Sequence, residues 1–127
     1  MSVLLSIKPK YCERIKDGYK KYEFRKVIFK RDVSKVYIYS SSPVKKIIGS
    51  FEVGDIVNDS PAQLWKQCNG SSGLSEAEFF SYFGDSTMGY ALKIKNLKFF
   101  DPLDPYDKFE SFFPPQSFYY INPEEWF

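Results

Sequence analysis

An α+β fold, a small mixed β-barrel with short helices inserted between its strands, is the architecture this sequence predicts. Three observations lead there. Strand-like stretches outnumber helical ones, and the two alternate without the regular rhythm of a doubly wound sheet. The chain has 127 residues and neither an internal repeat nor a dividing linker, which suits one domain over residues 1–127. Apolar residues make up 43% and aromatics 20%, so the core is expected to be rich in Phe and Tyr.

Taken in order, Val3 to Ile7 is a short apolar run that reads as a first strand, stopped by Lys8-Pro9. Pro9 suits the first turn of a helix that continues to Asp17, with Tyr11, Cys12 and Ile15 at helical spacing on its inner face. Gly18 supplies a left-handed stop, so positive φ is expected there. A strand follows from Tyr19, and Val27 to Val33 is a loop or an edge strand. Lys35 to Tyr39 is a strand ending in Ser40-Ser41-Ser42-Pro43. Val44 to Val53 is a long strand with a bulge or close approach at Gly49, extended by Asp55 to Val57 after a bend at Gly54. Ser60-Pro61 opens a helix to Cys68, and Ser75 with Glu78 forms a capping box for another, ended by Gly84. Tyr90 to Ile94 alternates as a half-buried strand, with Leu97 to Phe100 as its continuation and Asp101 to Pro105 as a turn. The last strand, ending at Ile121, is reached through the extended segment at Pro114-Pro115.

Composition narrows the function. No apolar run approaches the roughly 20 residues needed to span a bilayer, and Met1 to Lys8 lacks the features of a secretory signal. No membrane association is expected, and the cytoplasm is the default compartment. With two cysteines, Cys12 and Cys68, and no histidine, neither a disulfide framework nor a metal site is expected, and no cofactor. The net charge is +2, but Lys8 to Asp32 holds ten Lys/Arg against four Asp/Glu, leaving the remainder acidic. That asymmetry suggests a basic face and a polyanionic partner such as nucleic acid; scattered, solvated lysines would read the same way.

The densest chemistry lies in Gly18-Tyr19-Lys20-Lys21-Tyr22-Glu23-Phe24-Arg25. On a strand, Lys20, Tyr22 and Phe24 face one side and Lys21, Glu23 and Arg25 the other. A lysine, a carboxylate and a guanidinium on one rigid element can bind an anion or a polar base, or move a proton. The plainer reading is an exposed strand face with a salt bridge.

These eight residues match the GxKxxExR signature of the ASCH family, small domains related to PUA, at all four specified positions. The chain also resembles that family in Leu4-Leu5-Ser6-Ile7-Lys8-Pro9 before the first helix, in the strand ending Ser-Ser-Pro, and in Pro114-Pro115-Gln116-Ser117-Phe118. The resemblance spans nearly the whole chain. It implies a PUA-like pseudo-barrel whose cleft beside the first helix binds RNA, a single-stranded or modified base being held there. Single-stranded DNA is a possible competitor, and the oligomeric state is left open.

The implied site comprises Lys8, Tyr11, Lys20, Glu23, Arg25, Ser41, Gln116 and Ser117, with Gly18 in a structural role. Cations would hold phosphate, and the carboxylate would accept from an exocyclic amine. Tyr11, Tyr22 and Phe118 are stacking candidates, with core packing as the alternative for each. An amidohydrolase acting on acylated cytidines is the competing reading, since small relatives of the fold use a lysine, a hydroxyl residue and a glutamate. Lys20 matches that lysine, but Glu23 replaces the threonine, and the glutamate has only Glu76 or Glu78 as counterparts. RNA cleavage lacks the usual histidine acid–base pair.

Overall fold

The computed structural model describes residues 1–127. Six strands form one sheet: β1 (Ser2–Ile7), β2 (Tyr22–Arg25), β3 (Lys35–Ser40), β4 (Lys46–Asp59), β5 (Gly89–Leu103) and β6 (Phe118–Ile121). Their order across the sheet is β2-β5-β4-β3-β1-β6. β1 and β3 run parallel and every other pair is antiparallel, so the sheet is mixed. Helices α1 (Pro9–Lys16), α2 (Pro61–Cys68), α3 (Glu76–Phe83) and the single turns α4 (Pro105–Lys108) and α5 (Pro123–Trp126) are inserted between or after the strands.

Two long strands curl the sheet. β4 and β5 slip register near Gly49, near Phe51 and between Val53 and Ile56, and each slip adds local twist. Gly49 is required by close approach, because a Cβ there would lie 2.3 Å from the Lys98 carbonyl oxygen. The curl brings the two edge strands face to face without a hydrogen-bonded ladder. Side chains close the gap instead. Arg25 of β2 donates to the Ser117 hydroxyl just before β6. Phe29 packs edge-on against Phe118 at 5.3 Å, and the Tyr120 hydroxyl accepts from the backbone N–H groups of Lys30 and Arg31.

The main core fills the curl with Val3, Leu5, Ile7, Cys12, Ile15, Val36, Ile38, Phe51 and Leu92. A second cluster, Phe24, Leu64, Cys68, Phe79, Phe83 and Ala91, packs α2 and α3 on the outer face of β2 and β5. A third, aromatic cluster around Tyr37, Tyr39 and Phe112 sits beneath the C-terminal segment. Cys12 and Cys68 are separate buried thiols, and burial pushes the Cys12 thiol up to about 11.

Several local expectations match the structure. Gly18 follows α1 at φ +85°, Ser60 caps α2, and Ser75 and Glu78 form a complete capping box. Three differ. The motif strand starts at Tyr22, not Tyr19, because Tyr19 and Lys20 donate their backbone N–H groups back to Arg14 at the end of α1. β5 is one strand of 15 residues through Asn96 and Pro102, so Asp101 to Leu103 continues it where a turn was expected. The last strand is confined to Phe118–Ile121, and Pro114 to Ser117 approaches it outside the ladder.

Candidate nucleic-acid interface

The end of α1, the start of β2 and the loop before α3 converge on Lys20. Lys20 makes an isolated bridge with Ser72, Lys21 donates its N–H to the Ser71 carbonyl, and the Lys20 side chain is buried. Alternation holds for the rest of the motif: Tyr22 and Phe24 pack on the α2–α3 side, and Glu23 and Arg25 face the other way. Lys20 starts on the side of Phe24, its ammonium 4.7 Å from that ring and 5.8 Å from the Tyr11 ring. β2 is the sheet's edge, so this long side chain also reaches round its margin to Glu23, 3.6 Å from Oε1. The expected separation of Lys20 from Glu23 onto opposite faces is therefore corrected.

Glu23 is shared. Its Oε2 accepts from Arg25 Nη1 at 3.3 Å, while Arg25 Nη2 donates to Ser117. Lysine, carboxylate, guanidinium and hydroxyl thus form one chain, buried at Lys20 and Glu23 and half-buried at Arg25 and Ser117, across the seam between the sheet edges. Burial lowers the Lys20 pKa from the usual lysine range; Glu23 opposes the shift, and the Arg14 and Arg25 charges add to it. Arg25 Nε is buried with no acceptor.

This chain backs onto a cavity of about 920 Å³. Lys8, Tyr11, Lys20, Arg25, Ser41 and Gln116 all line it. Glu23 and Ser117 stand one layer behind, holding Arg25 and, for Glu23, Lys20. Tyr22 and Phe118 do not line it; the first packs beneath α2 and α3 and the second on Phe29. Gly18 has open space where a Cβ would sit and acts only through its backbone.

The sequence reading missed several lining residues: Ser6, Lys10, Tyr39, Lys45, Tyr82 and Tyr106. Lys45 carried a signal, since it follows the Ser-Ser-Pro turn, and it takes φ +55° at the rim, a conformation lysine rarely adopts. Tyr82 gave none, being one of many aromatics on α3. Tyr39 is buried with its phenol pKa raised, first by burial and then by hydrogen bonding with Tyr106.

One wall is a clamp between α1 and α3. Arg14 donates to both carboxylate oxygens of Glu78, at 2.8 and 3.2 Å, and to the Gly73 carbonyl at 2.9 Å. The Arg14 hydrogen bonds, with the Ser75 N–H, hold the Glu78 carboxyl down at about 2 against an ordinary 4.5. A carboxyl whose folded pKa is depressed stabilises fully above its unfolded value and loses that contribution as pH falls through the folded one. Urea midpoints of the wild type should therefore drop between pH 4.5 and about 2. Arg14→Gln should flatten that acid limb; an unchanged slope would mean the clamp contributes nothing.

The fold and the site together define a class: a PUA-like pseudo-barrel with a cation-lined cleft between its edge strands. The chain belongs to the ASCH-domain family, whose model matches residues 5–125. It is 29% identical over 126 residues to the ASCH domain-containing ribonuclease of Zymomonas mobilis, covering 96% of this chain and 85% of that protein. Its structure matches the crystal structure of ASCH from Zymomonas mobilis with a TM-score of 0.88 and 27% identity, over 98% of this chain and 90% of that one. It is also 33% identical over 92 residues to the ATP synthase subunit alpha of Ureaplasma parvum, covering 72% of this chain but only 12% of that subunit. No helix is long and apolar enough to cross a membrane.

Proposed function

We propose that the cleft binds single-stranded RNA, taking one nucleotide into the cavity beside α1. The observation that carries this reading is the charge of the lining. Lys8, Lys10, Lys20, Arg25 and Lys45 converge there, and the one lining carboxylate, Glu78, is already held by Arg14. Tyr11 offers a ring for stacking, and Ser41 and Gln116 offer polar edges to a base. The family and the ribonuclease relative support an RNA ligand.

Binding of a fluorescent single-stranded RNA 12-mer should weaken steeply between about 50 and 200 mM salt, with a log–log slope of roughly −0.7 per phosphate contact. Lys20→Ala and Arg25→Ala should each weaken it about tenfold or more, the range expected for a lost charged contact. Salt-independent binding, or full affinity in both variants, would remove the cleft from consideration. Single-stranded DNA of the same sequence measures what the 2′-hydroxyl contributes.

A second reading, RNA cleavage, is favoured by the relative's activity and by the lowered pKa of Lys20. A neutral Lys20 amine can take the proton of a 2′-hydroxyl as its oxygen bonds to phosphorus, closing a 2′,3′-cyclic phosphate while the 5′-oxygen departs with a proton from water. Cleavage of 5′-labelled RNA in the presence of EDTA, with DNA left intact and Lys20→Ala inactive, would establish it. The amidohydrolase alternative is not favoured. Glu78 is engaged by Arg14 and Glu76 is exposed on α3, which leaves Lys20 without a free glutamate partner. Sustained release of cytidine from N4-acetylcytidine would reverse that judgement.

A further inference from the structure

Sharing none of the residues that line the cleft, a second concavity of about 300 Å³ is lined by Phe109, Ser111, Phe112, Phe113, Tyr119 and Trp126. Its wall is built, not incidental. Trp126 packs on Phe109 at 4.4 Å, on Phe112 at 5.8 Å and on Tyr119 at 6.4 Å between ring centroids. Phe113 is 75% exposed, yet its carbonyl accepts from the Tyr119 hydroxyl at 2.7 Å, so an apolar ring projects from a tethered backbone. A ring this exposed at the rim of an apolar concavity offers an anchor point to a partner.

Charge says what covers it. Residues 109–127 contain no Lys or Arg, and Glu110, Glu124 and Glu125 are all exposed beside the lining residues. The neighbouring cation, Lys108, is exposed but engaged, donating to the Trp126 carbonyl with its ammonium 6.0 Å from the Phe109 ring. A polyanion would meet repulsion here. An incoming lysine or arginine would meet carboxylates and aromatic faces, both of which attract it.

We propose that this groove docks a basic peptide segment of a partner protein, an apolar anchor seated among Phe109, Phe113 and Trp126 with flanking Lys or Arg on the carboxylates. The site is independent of the RNA cleft, which is lined by cations.

The test uses the full chain and three fluorescein-labelled nonapeptides, read by anisotropy. The first carries Leu-Phe-Leu between two Lys-Arg-Lys blocks; the second replaces the flanks with Glu-Asp-Glu; the third keeps the basic flanks and replaces the centre with Ser-Gly-Ser. The first should bind about tenfold or more tightly than either control. Phe113→Ser should weaken it about tenfold without changing the melting temperature, since the ring is largely exposed. Glu110→Lys with Glu124→Lys should abolish the preference for basic flanks. Equal binding of all three peptides, or an unaffected Phe113→Ser variant, would overturn the proposal. Direct binding of a labelled RNA, without peptide present, that is lost in Phe113→Ser would assign the groove to nucleic acid instead. A wild-type dimer in sedimentation that Phe113→Ser dissolves would assign it to a second copy of the chain, and either result rejects the peptide.

Discussion

A Glu23→Gln variant is expected to lose roughly 3 kcal/mol of stability, the lower end of the cost of breaking a buried ion pair. The side chains of Lys20 and Glu23 are only 2% and 8% exposed, so screening by water offers little relief. The amide keeps the shape of the carboxylate but removes the charge that opposes the fall of the Lys20 pKa. The direction with pH follows. A lysine whose folded pKa lies below its unfolded value binds fewer protons in the native state within that interval, so its contribution to stability rises with pH there. The deficit of Glu23→Gln should accordingly be largest near neutrality and shrink as pH climbs toward the lysine range. Lys20→Met combined with Glu23→Gln should recover part of the loss, because the buried ammonium is gone, although the Arg25 guanidinium, 13% exposed, stays without its carboxylate. Urea titrations of the three variants across pH decide the matter; a pH-independent deficit, or a double variant no better than the single, would show that the pair is not the origin of the effect.

Gly73→Ala is expected to be more damaging than a substitution at Gly18, although both glycines take positive φ, +67° and +85°. At Gly18 a new Cβ meets nothing within 4 Å, so Gly18→Val carries only the cost of the left-handed backbone, about 1 kcal/mol or somewhat more. At Gly73 the same backbone cost is joined by collision, because the Cβ would lie 2.4 Å from the Lys20 Cβ and 2.7 Å from its Cα. Overpacking typically adds 1–3 kcal/mol, giving roughly 2–4 kcal/mol in total. Moving Lys20 also disturbs its approach to Glu23, so RNA binding should fall along with the melting temperature. If Gly18→Val proves as costly as Gly73→Ala, steric contact with Lys20 is not what requires glycine at position 73.

Much of the fold was legible where short-range chemistry governs. Ser60 before Pro61, Ser75 with Glu78, and Gly18 after Lys16 each satisfy backbone groups within a few residues, and such signals survive without knowledge of the whole. β5 was harder to read as one strand, since Asn96 at φ +49° and Pro102 both mimic interruptions. Alternation placed Tyr22 and Phe24 opposite Glu23 and Arg25, but it carries no information about where a sheet ends. The reach of Lys20 around the margin of β2 therefore lay outside its scope. The partnership of Arg25 with Ser117 spans 92 positions and has no periodic signature. Only the family resemblance put Pro114 to Ser117 near the motif, and nothing in the local pattern singled out Tyr82 or Tyr106.

The place of β1 in the sheet has a consequence for biosynthesis. β1 lies between β3 and β6, with Ser2 opposite both Lys35 and Ile121, so its second neighbour is translated long after the first. At cellular rates of elongation the interval is on the order of ten seconds. Throughout it, the side of β1 destined for β6 offers unpaired backbone groups, a template for any passing strand and a natural client surface for chaperones. The wall formed by Pro114 to Gln116 is missing for the same time, as is the hydroxyl of Ser117 on which Arg25 closes the seam. A nascent chain therefore has no complete cleft until that segment has emerged and docked.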